Sequence, residues 1–101
     1  MSGPYSVRLT PEGAEDIKRL FAFLAARDLA AARRARAAIK TAFLLLRHSP
    51  FSCRKAAQDQ PLLRELVIPF GSSGYVALFE IDDASHVTIL AVRHQRESDY
   101  H

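Results

Sequence analysis

From Tyr5 to Leu9 the chain alternates Tyr, Ser, Val, Arg, Leu, which puts the apolar side chains on one face and predicts a short half-buried strand. Thr10-Pro11 changes the pattern. Thr10 offers an N-cap hydroxyl, Pro11 suits the first helical position, and Glu12, Glu15 and Asp16 sit where a helix dipole favours negative charge. Ala14, Ile17, Leu20, Phe21 and Leu24 then recur at three-and-four spacing as one apolar stripe, while Glu15, Lys18, Arg19 and Ala22 mostly face away. Asp28 is the N-cap of a second helix, and Arg27-Asp28-Leu29 leaves room only for a tight antiparallel connection.

From Ala30 to Arg47 the residues Ala31, Ala35, Ala38, Ile39, Ala42, Phe43 and Leu46 share a side, with alanines small enough to admit a close neighbour. Arg33, Arg36, Lys40 and Arg47 gather on another side, either as a solvated face or as a docking surface for an acidic protein or nucleic acid. Ser49 to Pro61 has mixed polarity and no sustained period, so it reads as a connecting loop with room for a short turn of helix. Three segments of strand character follow: Leu62 to Ile68, Tyr75 to Asp82, and His86 to Arg93. In the middle one Tyr75, Ala77, Phe79 and Ile81 share a face, with Val76, Leu78, Glu80 and Asp82 on the other. The turn chemistry of Pro69 to Gly74 and of Asp83-Ala84-Ser85 links the three as an antiparallel meander. The expected fold is α+β: an N-terminal strand, an antiparallel helical hairpin, then a three-stranded antiparallel meander, with the sheet packed on the helices.

Length and composition narrow this further. At 101 residues, with 49% hydrophobic and 25% charged, the chain is expected to form one globular domain, 1–101, with a thin core. Its apolar run Ala42 to Leu46 is far short of a membrane span, and Met1 to Arg8 contains no apolar stretch of the secretory kind, so a cytoplasmic location is expected. Cys53 is the single cysteine, which excludes an internal disulfide and a cysteine-based zinc module. An inert thiol is the expectation. His48, His86, His94 and His101 lack metal-site spacing: His86 and His94 share strand parity but are separated by roughly 26 Å of extended chain. With no phosphate-cradling glycine loop and no nucleophile elbow, no cofactor and no metal are expected. The net charge of +3 is too small to argue for direct DNA binding by this chain.

The densest polar segment is Arg93-His94-Gln95-Arg96-Glu97-Ser98-Asp99-Tyr100, where the chain leaves its last strand. Arginine grips phosphate or carboxylate through two bonds, histidine exchanges a proton near neutral pH, and tyrosine stacks on a base. These parts suit RNA cleavage, and they equally suit a charged edge that closes a sheet. Arg64, among Leu62, Leu66 and Ile68, reads as an ion-pair partner at a buried edge rather than a phosphate ligand.

Taken in order, Val7-Arg8-Leu9-Thr10-Pro11-Glu12, Ala26-Arg27-Asp28, Leu63-Arg64-Glu65-Leu66, Gly74-Tyr75 and Val92-Arg93-His94-Gln95-Arg96-Glu97 span nearly the whole chain. Their arrangement resembles the RelE/ParE superfamily of bacterial type II toxin-antitoxin toxins. The resemblance implies a compact toxin neutralised by a cognate antitoxin whose disordered segment wraps it and folds on binding, in an oligomeric complex. A basic chain with a thin core suits such an acidic or amphipathic wrapping segment.

Two activities divide that superfamily. RelE-like toxins, which are ribosome-dependent mRNA endonucleases, carry an arginine directly after the Gly-Tyr of the middle strand and lysines on the strand before it. Here Val76 follows Gly74-Tyr75, and Leu66-Val67-Ile68-Pro69 offers no lysine. In-line attack by a 2′-hydroxyl needs cations for the charge developing on phosphorus, and losing one such stabiliser costs about 2.7–4 kcal/mol of barrier. If the chain is a nuclease, His94, Arg96 and Tyr100 are its candidate catalytic residues. The His94-Gln95-Arg96 run is instead similar to the His-x-Arg of ParE-like toxins. That likeness implies a toxin that catalyses nothing itself, binds DNA gyrase, with the A subunit favoured by the resemblance, and blocks replication. Arg93, His94, Arg96 and Tyr100 are then the candidate target-binding surface. A third possibility is an inactive homologue that acts only as an antitoxin-binding module.

Overall fold

Capping side chains start both helices. In the computed structural model, which describes residues 4–96, the order is β1 (Ser6–Leu9), α1 (Pro11–Ala25), α2 (Leu29–Leu45), a 3-10 turn (Pro50–Ser52), β2 (Arg54–Ala57), β3 (Gln60–Phe70), β4 (Ser73–Ile81) and β5 (His86–His94). Thr10 Oγ1 accepts from the Gly13 N–H at 3.0 Å and Asp28 Oδ1 from the Ala31 N–H at 3.0 Å, so each cap satisfies a donor that the first helical turn leaves open. Asp28 also follows α1 so closely that the helices fold back on one another as the expected hairpin.

The five strands form one sheet in the order β1-β5-β4-β3-β2. β1 runs parallel to β5, and the other neighbours are antiparallel. Tyr75, Ala77, Phe79 and Ile81 of β4 turn toward the helices and join Leu66, Ile68, Val87, Ile89, Val92, Leu20, Ala35 and Ile39 in one core. On α2 the fully hidden positions are Ala32, Ala35 and Ile39, with Leu46 just past its end. The apolar stripe is thus rotated slightly from the expected one, Ala32 replacing Ala31 at the tightest approach. No helix among the described residues is long and apolar enough to cross a membrane.

Two features depart from the sequence reading. The segment expected to be a loop, Ser49 to Pro61, contains a strand, so the antiparallel part of the sheet has four members rather than three. Arg-Lys-Ala-Ala has little intrinsic strand character, and β2 exists because β3 supplies its partner. Arg54 Nε donates to Glu65 Oε1 across the pair at 3.0 Å. Arg64 pins the chain entering β2, its Nη1 donating to the carbonyls of Phe51 and Cys53 and its Nε to that of Pro61. Its partners here are backbone carbonyls, in place of the expected ion pair.

The second departure is a bulge. Leu78 pairs with Ala91 and Phe79 with Ile89, so Leu90 is an extra residue in β5. β1 ends at Leu9, opposite Ile89, and the remaining edge of β5 is covered by α1. The Thr10 N–H donates to the Ile89 carbonyl at 3.0 Å, and the Thr10 hydroxyl lies 3.2 Å from the carbonyls of both Ile89 and Leu90. One helical face further on, Asp16 Oδ2 accepts from the Val92 N–H at 2.8 Å. The sequence gives Asp16 a dipole-stabilising role, and the structure adds a second one, since its side chain is buried, at only 2% exposure, against β5. Gly13 lies between these contacts, where a Cβ would stand 3.0 Å from the Ile89 carbonyl oxygen.

The β3–β4 hairpin turns on Gly71-Ser72, with Phe70 opposite Ser73 and Gly71 at φ 62°. That tight two-residue connection is shorter than the expected loop. Gly74 is required by space: a Cβ there would stand 2.2 Å from the Ile68 carbonyl oxygen.

Two stability predictions follow from these contacts. Asp16→Ala should cost about 1.5–3 kcal/mol in urea unfolding at unchanged m value, because the Val92 N–H loses a charged acceptor, while Asp16→Asn, which keeps an acceptor oxygen, should cost less. Gly71→Ala should cost about 1–2 kcal/mol for its positive φ, whereas Gly74→Ala should prevent the native hairpin from forming. Equal effects of the two glycine substitutions would contradict the assigned packing.

Candidate functional site

The bulge at Leu90 decides what the end of β5 presents. Side chains alternate along a strand, and one extra residue reverses the alternation beyond it. Val87 and Ile89 face the helices before the bulge, and Val92 and His94 face them after it. Hence His86 and His94, which share parity by counting, lie on opposite faces of the sheet. The same reversal turns Arg93 to the face away from the helices.

His94 is held on three sides. It pairs across the sheet with Tyr75, and the two rings meet edge to face with centroids 5.6 Å apart. Its Nε2 lies 3.0 Å from Ser73 Oγ, and its Nδ1 accepts from the Arg96 N–H at 3.2 Å. A backbone N–H can only donate, so Nδ1 of the neutral ring is the acceptor and Nε2 carries the proton toward Ser73. Phe70 continues the ring cluster, 6.2 Å from Tyr75. Burial raises the Tyr75 phenol above its ordinary range, keeping it neutral. The Gln95 N–H donates to the Gly74 carbonyl at 2.8 Å, extending the β4–β5 ladder past the last strand residue.

On the opposite face Arg93 stands across from Val76, and Val76 across from Val67. The next row is Glu65, Leu78 and Ala91. The second row continues onto β2 at Arg54, whose Nε donates to Glu65 Oε1, so Arg54 is paired with that carboxylate while Arg93 stands among aliphatic side chains. Arg93 is half-buried, with Nη1 3.3 Å from the His94 carbonyl and 3.4 Å from that of Gln95. Arg96 is exposed beyond it. Of the four sequence-selected residues, Arg93 and Arg96 therefore lie around the exit of β5, His94 is turned inward beside them, and Tyr100 lies outside the described residues.

The remaining candidates separate from this end of the sheet. Arg33, Arg36 and Lys40 are exposed on α2 and Arg47 is exposed just past its end, with the Arg36 guanidinium 4.8 Å from the centre of the Phe21 ring. Burial pushes the Cys53 thiol up, against the opposing pull of the nearby Arg64 charge, which keeps it protonated. At the β4–β5 turn the Asp83 carboxyl is held below its usual value by the Ser85 N–H and by His86, whose Nδ1 is 2.9 Å from Asp83 Oδ1. His86 thus closes a turn. Sequence reasoning missed Asp16 as the residue that fixes the level of β5, because an acidic side chain near a helix N-terminus already had a sufficient local explanation.

With this geometry in view, comparison with known proteins is informative. The fold is shared with a chain of the chromosomal ParDE toxin-antitoxin system from P. aeruginosa, at 17% identity and a TM-score of 0.73, covering 92% of this chain and 98% of that one. It is also similar to a chain of the RelBE2 toxin-antitoxin complex from Mycobacterium tuberculosis, at 26% identity and a TM-score of 0.60, covering 96% and 98%. Among curated proteins none matches it in sequence. The family model for the ParE toxin of the parDE type II toxin-antitoxin system matches residues 7–99, nearly the whole chain, and the protein therefore belongs to the ParE toxin family.

Proposed function

We propose that this toxin acts by binding DNA gyrase and stopping replication, and that a cognate antitoxin neutralises it. The observation that carries the reading is the row Val67, Val76, Arg93 on the face turned away from the helices. Cleaving RNA by 2′-hydroxyl attack requires several cations around one phosphate together with a group free to take a proton. That row supplies a single guanidinium beside two valines. The one histidine nearby has Nδ1 occupied by the Arg96 N–H and the Nε2 proton directed at Ser73, so it serves to hold the strand end. A protein-binding edge needs neither a proton acceptor nor a phosphate cradle. It needs a rigid rim with a few well-placed arginines, which the exit of β5 provides. Membership of a toxin-antitoxin family, and the toxin-antitoxin complexes among the structural neighbours, support the antitoxin as partner.

The test is DNA supercoiling by purified gyrase with increasing toxin, alongside cleavage of ribosome-bound mRNA. Accumulation of linear cleaved plasmid with intact mRNA is expected. Cleaved mRNA with unaffected gyrase would replace this reading by the nuclease one, and inactivity in both assays with retained antitoxin binding would identify a binding module.

Two substitutions sharpen the outcome. Arg93→Ala combined with Arg96→Ala should keep the fold by circular dichroism and reduce gyrase inhibition by about tenfold or more, since central interface arginines commonly contribute 2 kcal/mol or so. Undiminished inhibition would remove the β5 exit from the interface. His94→Gln should lower stability by about 1 kcal/mol through its hydrogen bonds, yet leave inhibition per folded molecule unchanged. Selective loss of activity at full folding would instead make His94 a reacting group.

A further inference from the structure

The charge of this chain is segregated. Residues 29–58 hold seven of its 14 lysines and arginines and none of its 11 aspartates and glutamates, so the rest of the chain is net negative. The net charge of +3 averages these two regions, whereas a polyanion meets the local charge. Most of the positive charge stands on α2 and just past its end. Arg33, Arg34, Arg36, Lys40 and Arg47 are all exposed, and none of the five pairs with a carboxylate among the described residues. Asp28, the nearest carboxylate along the chain, is engaged in capping the helix, its Oδ1 accepting from the Ala31 N–H.

The shape of this face restricts what it can meet. At about 3.6 residues per turn, Ala32, Ala35 and Ile39 turn to the core and the exposed Ala30, Ala37 and Thr41 form the ridge opposite them. Arg33 and Lys40 flank that ridge on one side and Arg34 on the other. Arg36 lies further round, its guanidinium held against the Phe21 ring. From Leu29 to Arg47 every polar side chain is a pure donor except the Thr41 hydroxyl. A protein surface presents donors and acceptors in mixture, whereas a phosphate backbone presents acceptors. The ridge and its flanks carry no aromatic side chain on which an unpaired base could stack, so they suit a duplex rather than a single strand. The major groove of B-form DNA admits an α-helix, and the deep, narrow groove of an RNA duplex does not.

We propose that the N-terminal part of α2 binds duplex DNA along the major groove, independently of sequence, with Arg33, Arg34, Arg36 and Lys40 on phosphates to either side of the ridge formed by Ala30, Ala37 and Thr41. The side chains of the ridge offer no pair of bonds that would read a base edge, so the contacts position the protein without selecting a site. The arginines at the β5 exit take no part, and the gyrase reading is not a premise.

Fluorescence anisotropy of labelled duplexes of about 20 base pairs, titrated with the full chain, tests this. Two unrelated sequences should bind equally, and four phosphate contacts should make log K fall with log salt at a slope of about −3.6, roughly a hundredfold loss between about 50 and 200 mM. The R33Q/R34Q/K40Q variant should bind about tenfold or more weakly at the lower salt with a slope near −1, and each single replacement should lower the slope by about one. R8Q/K18Q/K55Q, which removes equal charge from exposed positions elsewhere, should keep the wild-type slope. Absence of binding at low salt, equal slopes for the two triple variants, preference for one sequence, or equal binding of an RNA duplex or a single strand would overturn the proposal. Poly-glutamate competing as well as the duplex would also overturn it and assign the face to an acidic protein. A chain that binds the duplex in this way but leaves gyrase unaffected would remove the target reading alone.

Discussion

The structure hangs on the way α1 completes the edge of β5. β5 has nine residues and its parallel neighbour β1 only four, so the second half of β5 would present unpaired main-chain groups to the interior. A buried N–H or C=O without a partner costs as much as the hydrogen bond it lacks. Thr10 and Asp16 meet that demand with side chains of the first helix, Thr10 at the Ile89 and Leu90 carbonyls and Asp16 at the Val92 N–H. Both lie on one helical face with Gly13 between them, whose missing side chain lets the helix come close enough for the bonds to form. The bulge is sited where β1 gives way to this helix. Its consequence reaches the end of the strand, because it determines that Arg93 looks outward and His94 inward.

Much of this architecture was legible in the sequence because its causes are local. Thr10-Pro11 and Asp28 announce helix starts through capping chemistry, and the alternation from Tyr75 to Ile81 marks the face that becomes the core. The parts that were not legible have distant causes. β2 is built of Arg, Lys and two alanines, and becomes a strand only when β3 is beside it. The bulge at Leu90 follows from geometry set by residues some eighty positions earlier, so counting parity through β5 gives the wrong face for every residue after it. Asp16 shows the same difficulty from another side, since a carboxylate near a helix N-terminus has an ordinary reason to be there and its buried role becomes visible only once β5 is in place. The candidate site was therefore found as a segment but not as a surface. Arg93, His94 and Arg96 are neighbours in sequence, and the structure separates an inward-held histidine from two arginines at the rim.

That separation bears on chemistry. A histidine acts in catalysis when one nitrogen faces a substrate, and at His94 Nε2 is engaged with Ser73 beside the β3–β4 turn while Nδ1 accepts from the Arg96 N–H. The ring cluster Phe70, Tyr75 and His94, the Gly74 close approach and the Gln95 bond to Gly74 all stiffen the same corner. Rigidity there fixes the backbone from which the half-buried Arg93 and the exposed Arg96 project.

The two edges of the sheet complete the argument, because they are treated so differently. β2 carries Arg54 and Lys55, is broken by a register shift before Ala57, and is braced by the Arg54–Glu65 pair, all of which discourage another strand from adding to it. β1 has no such irregularity in its pairing, and its inward side chains are the apolar Val7 and Leu9. An open edge with apolar side chains is a liability in a protein that stays alone, through aggregation as much as through loss of stability. In a protein that spends its life in complex it is the place where a partner's main chain and side chains can both be satisfied.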